Sequence, residues 1–249
     1  MTLEKFFENY GEVAIAFSGG VDSSYLLCVA KKHGKRVKAY YVKSEFQPEF
    51  EFQDACKIAK QLDTEMKVIH LSALEDEKVK DNPKNRCYYC KKNIFGRILE
   101  EAKKDGFHVI LDGTNASDDA GDRPGMKALE EMMVLSPLRE CGMTKEEIRE
   151  KSKMEGLFTW DKPAYACLAT RIPTKEPITE EKLQAVEKAE SYLFSLGFRD
   201  FRVRTSENRA ILQLRESQWQ LLKENRKKVF SELKKYYVSV VLDLEVRDE

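Results

Sequence analysis

Short apolar runs alternate with amphipathic stretches along the N-terminal part of this chain. Val13–Phe17, Val37–Val42, Glu65–Leu71 and His108–Asp112 have strand length and β-rich composition. Between them the apolar period shifts to that of a helix over Ser23–His33, Phe52–Leu62 and Tyr88–Lys104. Gly34 and Gly106 stop the first and last of these, and Thr144 and Gly156 bracket a further helix over Lys145–Glu155. Strands alternating with helices of this length predict an α/β fold with a doubly wound parallel sheet, covered on both faces.

Pro163, Pro173 and Pro177 then break the pattern, as in a linker. Beyond them Glu180–Ser195 reads as helix, and Phe201–Thr205 and Ala210–Leu214 read as strands around Glu207-Asn208. Ser217–Tyr237 reads as helix and Ser239–Leu244 as a last strand. This α-β-β-α-β tail predicts a small α+β C-terminal domain over 173–249, after a larger domain over 1–172. No internal repeat or low-complexity segment interrupts either.

Composition narrows the class. The 249 residues (28.9 kDa) are 42% hydrophobic, enough for a real core. Lys+Arg and Asp+Glu are balanced at 43 each, so a strongly basic surface of the kind that grips nucleic acid is not expected. Charged residues at 35% exceed the usual quarter, as in heat-adapted proteins. No signal peptide and no membrane-span-length apolar run is found, which predicts a soluble, cytoplasmic protein. The 6 cysteines then call for a reading other than a secreted disulfide framework.

The first candidate site is Ser18-Gly19-Gly20-Val21-Asp22-Ser23, between the first strand and the first helix of the alternating set. Paired glycines let the backbone approach a phosphate, successive N–H groups form an anion nest, and the helix start adds its positive dipole end. Ser18 and Ser23 supply hydroxyls, and Asp22 can hold Mg²⁺ or orient the loop. Neither the kinase-type P-loop spacing nor the dinucleotide fingerprint is present. A glycine turn that merely caps a helix is the plain alternative. The stretch resembles the SGGxDS pyrophosphate loop of the PP-loop ATP pyrophosphatases (adenine nucleotide alpha hydrolase-like fold). That resemblance implies ATP and Mg²⁺ as cofactors, cleavage between the α and β phosphates, and an adenylated intermediate.

Cys87-Tyr88-Tyr89-Cys90 opens a predicted helix, with both thiols within one turn near its positive end. Cys167 lies in a Pro-flanked segment, whereas Cys28, Cys56 and Cys141 sit in apolar or turn contexts that suit structural thiols. Three readings of Cys87 and Cys90 compete: a redox dithiol, a zinc site short of ligands, and a 4Fe–4S cluster held by three cysteines with one iron open.

A wider resemblance bears on that choice. The SGGVDS loop, Asn85–Lys92, Leu111–Asn115, Asp122–Gly125, Cys167–Pro173 and Phe201–Arg204 together are similar to the LarE family over nearly the whole chain. This is the sulfur transferase family of nickel-pincer nucleotide synthesis. It implies a pyridinium biscarboxylate mononucleotide as substrate, adenylated and then converted to a thiocarboxylate. Some members sacrifice a cysteine; there the donor lies one place before Cys167, where this chain has Ala166, and no cysteine stands at positions 87 and 90. Cys87, Cys90 and Cys167 therefore resemble the type that holds a 4Fe–4S cluster as a sulfur source, with sulfide or another sulfur donor upstream.

The remaining expectations follow from this likeness and from charge. Asp22 and Cys167 are placed in the chemistry. Ser18, Gly19, Gly20, Asp22, Ser23 and Gly113 are placed with ATP, and Lys91 and Arg97 either join its phosphates or are surface charge. Arg171, Arg202 and Arg204 suit the carboxylates and phosphate of the substrate, and positions 202 and 204 share one strand face. A solvated strand face is their plain alternative. Glu190 matches a substrate-site acid, though a glutamate on a charged helix is more often solvated. Gln213 stands where the sacrificial type has an acid. A homo-oligomer, by resemblance a hexamer, is implied. The alternatives are a tRNA thiolation enzyme of the same superfamily and a non-catalytic ATP or iron–sulfur sensor.

Overall fold

The structure is a computed structural model and describes residues 1–118 and 124–247. In chain order the helices are α1 (Leu3–Asn9), α2 (Val21–His33), α3 (Glu49–Gln61), α4 (Glu77–Lys80), α5 (Arg86–Lys104), α6 (Pro124–Glu131), α7 (Pro137–Glu140), α8 (Lys145–Met154), α9 (Glu180–Ser195) and α10 (Trp219–Leu233). The strands are β1 (Glu12–Ala16), β2 (Arg36–Lys43), β3 (Met66–His70), β4 (Ile110–Leu111), β5 (Arg202–Ser206), β6 (Arg209–Gln213) and β7 (Ser239–Leu242). The chain forms two compact units: residues 1–73 with 85–162, and residues 74–84 with 163–249.

The first unit is built on a parallel sheet in the order β3-β2-β1-β4. Successive residues of the strands point to opposite faces, and both faces are buried. Val13 and Ile15 enter a cluster with Phe6, Leu26, Leu27 and Ile148 on one side. Ala14, Tyr40 and Val42 enter another with Phe95, Ile98 and Phe107 on the other. This is the doubly wound α/β arrangement predicted from the alternating pattern.

The strand order has a functional consequence. The chain steps outward from β1 to β2 and β3, then returns to pair β4 on the other side of β1. The crevice at the carboxyl end of β1 is thus the switch point where such sheets bind ligands. The loops after β1 and β4 meet there.

The second unit holds a sheet in the order β5-β6-β7, with β5 and β6 antiparallel and β6 and β7 parallel. Glu207 and Asn208 both take positive φ (46° and 62°), as a two-residue hairpin turn requires, and Ser206 pairs with Arg209 across it. The segment 74–84 belongs to this unit because buried Asn82 donates from Nδ2 to the carbonyls of Ile172, Pro173 and Glu176. Among the described residues no helix is long and apolar enough to cross a membrane.

Candidate active site

The loop between β1 and α2 owes its shape to glycine. Gly19 has φ of +73°, and a Cβ there would stand 2.9 Å from the backbone and Cβ of Ala55 on α3. The loop is drawn together by Ser23, whose Oγ donates to Gly20 O at 3.3 Å, accepts from Ser18 N at 3.3 Å and lies 3.1 Å from Ser18 Oγ. Gly20 is the N-cap of α2 and no side chain caps that helix, so its first N–H groups face the crevice as an anion site would require.

The loop after β4 closes on this one. Gly113 is needed because a Cβ would lie 2.9 Å from Ser23 N, a backbone atom that cannot give way. Asp112, buried beside it, accepts from Thr114 Oγ1 at 2.5 Å and from Ser136 Oγ at 2.6 Å. Asn115, also buried, donates from Nδ2 to Asp22 Oδ1 at 3.3 Å. The second oxygen of Asp22 accepts from Lys145 Nζ at 2.5 Å. Lys145 is the first residue of α8, whose start is fixed by a Thr144–Glu147 capping box and by Ser117 Oγ accepting from Lys145 N at 2.9 Å. The N-terminal ends of α2 and α8 therefore lie together, with one lysine and one aspartate paired between them. Such a crevice favours a polyanion on electrostatic grounds.

Neither Lys145 nor Asn115 was singled out for a role in the sequence. Lys145 lies 123 residues from Asp22, and a lysine opening a charged helix carries no local signal. Of the other expected phosphate ligands, Lys91 packs its side chain within 3.1 Å of where a Cβ on Gly125 would be. Arg97 is exposed and pairs with Glu100 one turn on, Nη1 to Oε2 2.6 Å. The stretch Asp122–Gly125 begins outside the described residues, since Asp122 and Arg123 are not among them.

Cys87 and Cys90 occupy the first turn of α5, as the spacing predicts; Cys87 is exposed and Cys90 half-buried. Their turn is tied to α6 through Glu131, which accepts from Tyr88 Oη at 2.7 Å and from Lys92 Nζ at 3.1 Å. Both cysteines belong to the first unit and Cys167 to the second. Among the described residues no three His, Cys, Asp or Glu side chains are grouped as metal ligands. All six cysteines are thiols. Burial pushes the thiols of Cys28, Cys56 and Cys141 up, with Glu155 adding to the effect at Cys28, which suits inert structural positions.

In the second unit the expected substrate residues do come together. Arg171, with a side chain 0% exposed, forms a bidentate pair with Glu190, Nε to Oε1 2.9 Å and Nη2 to Oε2 3.1 Å. Glu190 is buried on α9 and also accepts from Val203 N at 2.8 Å and from Tyr165 Oη. Burial opposes the Arg171 charge, but the hydrogen bonds and charge of Glu190 more than offset it and hold the guanidinium above its ordinary range. Arg202 and Arg204 differ. Among the described residues neither has a carboxylate within 4.0 Å; Arg202 donates to Phe201 O and Ala164 O, and Arg204 to Gln213 Oε1 and Thr170 O. Burial and the nearby charges of Arg171 and Arg247 push Arg202 down to about 10 and Arg204 down from its ordinary value. Two partly desolvated cations with no carboxylate in direct contact, Glu190 and Asp243 acting on them only from a distance, form a receptive place for an anion.

The Asparagine synthase family model matches residues 8–119, which span the loop, the sheet and the Asp112–Asn115 turn. An uncharacterized protein of Synechocystis sp. is 37% identical over 220 residues, covering 88% of this chain and 82% of its own. The pyridinium-3,5-bisthiocarboxylic acid mononucleotide synthase of Lactiplantibacillus plantarum is 33% identical over 218 residues, covering 87% of this chain and 79% of its own. The tRNA-specific 2-thiouridylase MnmA of Thermotoga petrophila is 26% identical over 142 residues, only 47% of this chain and 40% of its own. With the phosphate loop in place at the switch point and the likeness to the synthase continuing through the arginine-bearing second unit, the chain belongs to the LarE family of pyridinium-3,5-bisthiocarboxylic acid mononucleotide synthases, within the PP-loop ATP pyrophosphatases.

Proposed function

We propose that the protein is an ATP-dependent sulfur transferase that turns a carboxylate of a pyridinium biscarboxylate mononucleotide into a thiocarboxylate. The observation that carries this is the loop Ser18–Ser23, set at the switch point with Asp22 paired to Lys145 and Asn115. Ser18, Gly19, Gly20, Ser23 and the α2 N-terminus hold the β and γ phosphates, with Gly113 leaving room for the close approach of the two loops and Lys91 and Arg97 as outer phosphate contacts. Asp22 would hold Mg²⁺, which would help neutralise the phosphates, and Lys145, beside it, is placed to supply counter-charge to them. A substrate carboxylate oxygen attacks the α phosphorus, the bond to the bridging oxygen breaks, and pyrophosphate leaves with its charge neutralised in the crevice. A sulfur nucleophile, supplied as sulfide or by a sulfur donor, then attacks the acyl carbon and AMP departs.

Arg202 and Arg204, having no carboxylate of their own, take the substrate's carboxylate and phosphate. The family resemblance implies a 4Fe–4S cluster: Cys87, Cys90 and Cys167, thiols that are exposed or half-buried, would hold it, and it would supply sulfur to the transfer step. A cytoplasmic setting completes this reading. A hexamer is the assembly the family resemblance implies.

The tRNA-thiolation reading has less behind it, because the MnmA relatives are only 26–27% identical over 47–61% of the chain and the net charge is zero. The test is a reaction with ATP, Mg²⁺, sulfide and the pyridinium biscarboxylate mononucleotide. AMP, pyrophosphate and a thiocarboxylate product in equal amounts are expected, together with iron and labile sulfide that vanish in Cys90→Ala. ATP binding without pyrophosphate release would sink the proposal.

A further inference from the structure

Arg171 lies at the end of the segment that carries Cys167 and Arg202 and Arg204 lie on β5, yet all three donate to backbone carbonyls of that segment. Arg202 Nη2 donates to Ala164 O at 2.8 Å. Arg171 Nη1 donates to Ala166 O at 2.8 Å and reaches Cys167 O at 3.4 Å. Arg204 Nη1 donates to Thr170 O at 2.7 Å. The carbonyl of Cys167 also accepts from Thr170 N at 3.0 Å and Thr170 Oγ1 at 2.8 Å. A carbonyl has two lone pairs, so three donors over-determine its direction.

Arg171 cannot turn away from this task. Its Nε and Nη2 are taken by the two oxygens of Glu190, and Glu190 is itself held by Val203 N and Tyr165 Oη. The Arg171 guanidinium also lies over the Tyr165 ring, 4.5 Å from its centroid, with Arg202 5.2 Å from the same centroid. A planar fork fixed along one edge presents its remaining N–H groups in a single direction. That direction is the Cys167 turn, Leu168–Arg171.

We propose that Arg171 is a positioning residue. Locked by Glu190, it fixes the backbone at Ala166 and Cys167, aims the Cys167 thiol, and so sets how efficiently sulfur is transferred once the substrate is adenylated. This rests on the reading of Cys167 as a sulfur-handling thiol. It moves Arg171 and Glu190 from the substrate contacts expected from the sequence to support of the turn.

The test uses the full chain with Arg171→Lys, which keeps the charge but loses the fork, and Thr170→Val, which keeps the shape but loses the hydroxyl between Arg171 and Cys167. The first measurement is amide hydrogen exchange over 163–171 without substrate. An increase of about tenfold is expected in both variants, the factor that loss of one hydrogen bond to a charged group implies for a local opening. Peptides covering Glu12–Lys43 serve as the unchanged reference. The second measurement is the ratio of pyrophosphate released to thiocarboxylate formed. It rises in both variants as adenylate is lost to water, whereas general destabilisation lowers both products together and leaves the ratio alone. Unchanged exchange over 163–171, or increased exchange with an unchanged ratio, overturns the proposal. A wild-type enzyme that releases pyrophosphate but forms no thiocarboxylate overturns the sulfur-transfer reading instead, with exchange still reporting whether Arg171 holds the turn.

Discussion

The loop at Ser18–Ser23 and the turn at Cys167 meet the same demand, a backbone held in one place, by opposite means. The first is shaped from within. Gly19 takes a positive φ, Gly113 allows backbone to touch backbone, and the serines between them bond locally. The second is shaped by side chains: its own Arg171 folds back onto it, Arg202 and Arg204 reach it from β5, and a glutamate on α9 locks Arg171. A loop made of glycine geometry tolerates loss of a distant side chain but not an added methyl group. A turn held by a buried ion pair has the reverse sensitivity.

The sharpest way to break this comparison is Glu190→Ala. It leaves the buried Arg171 guanidinium without its counter-charge and orphans Val203 N and Tyr165 Oη. Removing one partner of a buried pair costs about 3–5 kcal/mol. Urea unfolding monitored in the second unit is expected to show that loss, and Glu190→Gln, whose oxygen can still accept from Arg171 Nε and Val203 N, should recover part of it. An unfolding midpoint unchanged in Glu190→Ala would mean that the turn is not held by this ion pair.

Lys145→Met tests the first region. Lys145 is a long-range charged contact to Asp22, so the loop should keep its fold while the crevice loses counter-charge. Loss of a charged hydrogen bond of about 1.5–3 kcal/mol in the adenylation step corresponds to roughly 10- to 100-fold slower ATP–pyrophosphate exchange. Thermal stability should hardly change, since Lys145 is partly exposed and its pair with Asp22 is open to solvent. If exchange kept its wild-type rate, the Asp22–Lys145 pair would be merely structural.

The two regions also differed in how far they could be read from the sequence. Ser18–Ser23 is contiguous, and the alternation around it predicts strand, loop and helix, as found. Glu207-Asn208 likewise announces its hairpin. Lys145 does not, because nothing local distinguishes a lysine that folds back on Asp22 from one on a solvated helix. The segment 74–84 is equally silent: it lies among residues of the first unit and is drawn to the second by Asn82, whose three carbonyl partners are at positions 172 to 176. Arg171, Arg202 and Arg204 were legible as a cationic group, since their chemistry suits anions. That their donors end on one turn of backbone depends on tertiary contacts that composition and spacing do not carry. The short helix α1 had a readable pattern in Leu3, Phe6 and Phe7, all buried, but its length falls below what periodicity resolves well.

Arg204 shares its guanidinium between the turn and Gln213, and a change at Gln213 is expected to have a small effect. Gln213 Oε1 accepts from Arg204 Nε at 2.6 Å while its Nε2 donates to Asp243 at 2.8 Å. Gln213→Glu would set a carboxylate against Arg204 and replace a donor to Asp243 by a like charge. These two changes oppose one another, so the unfolding midpoint should stay near that of the wild type. The guanidinium, however, gains an internal partner that competes with substrate. A half-exposed ion pair of about 1 kcal/mol would raise KM for the pyridinium substrate roughly fivefold and leave kcat and the KM for ATP unchanged. Such a split would assign Arg204 to the substrate anion even though one of its nitrogens already holds Thr170 O. An unchanged KM would leave Arg204 in the same role as Arg171, wholly occupied with holding the Cys167 turn, and the anion contact would fall to Arg202 alone.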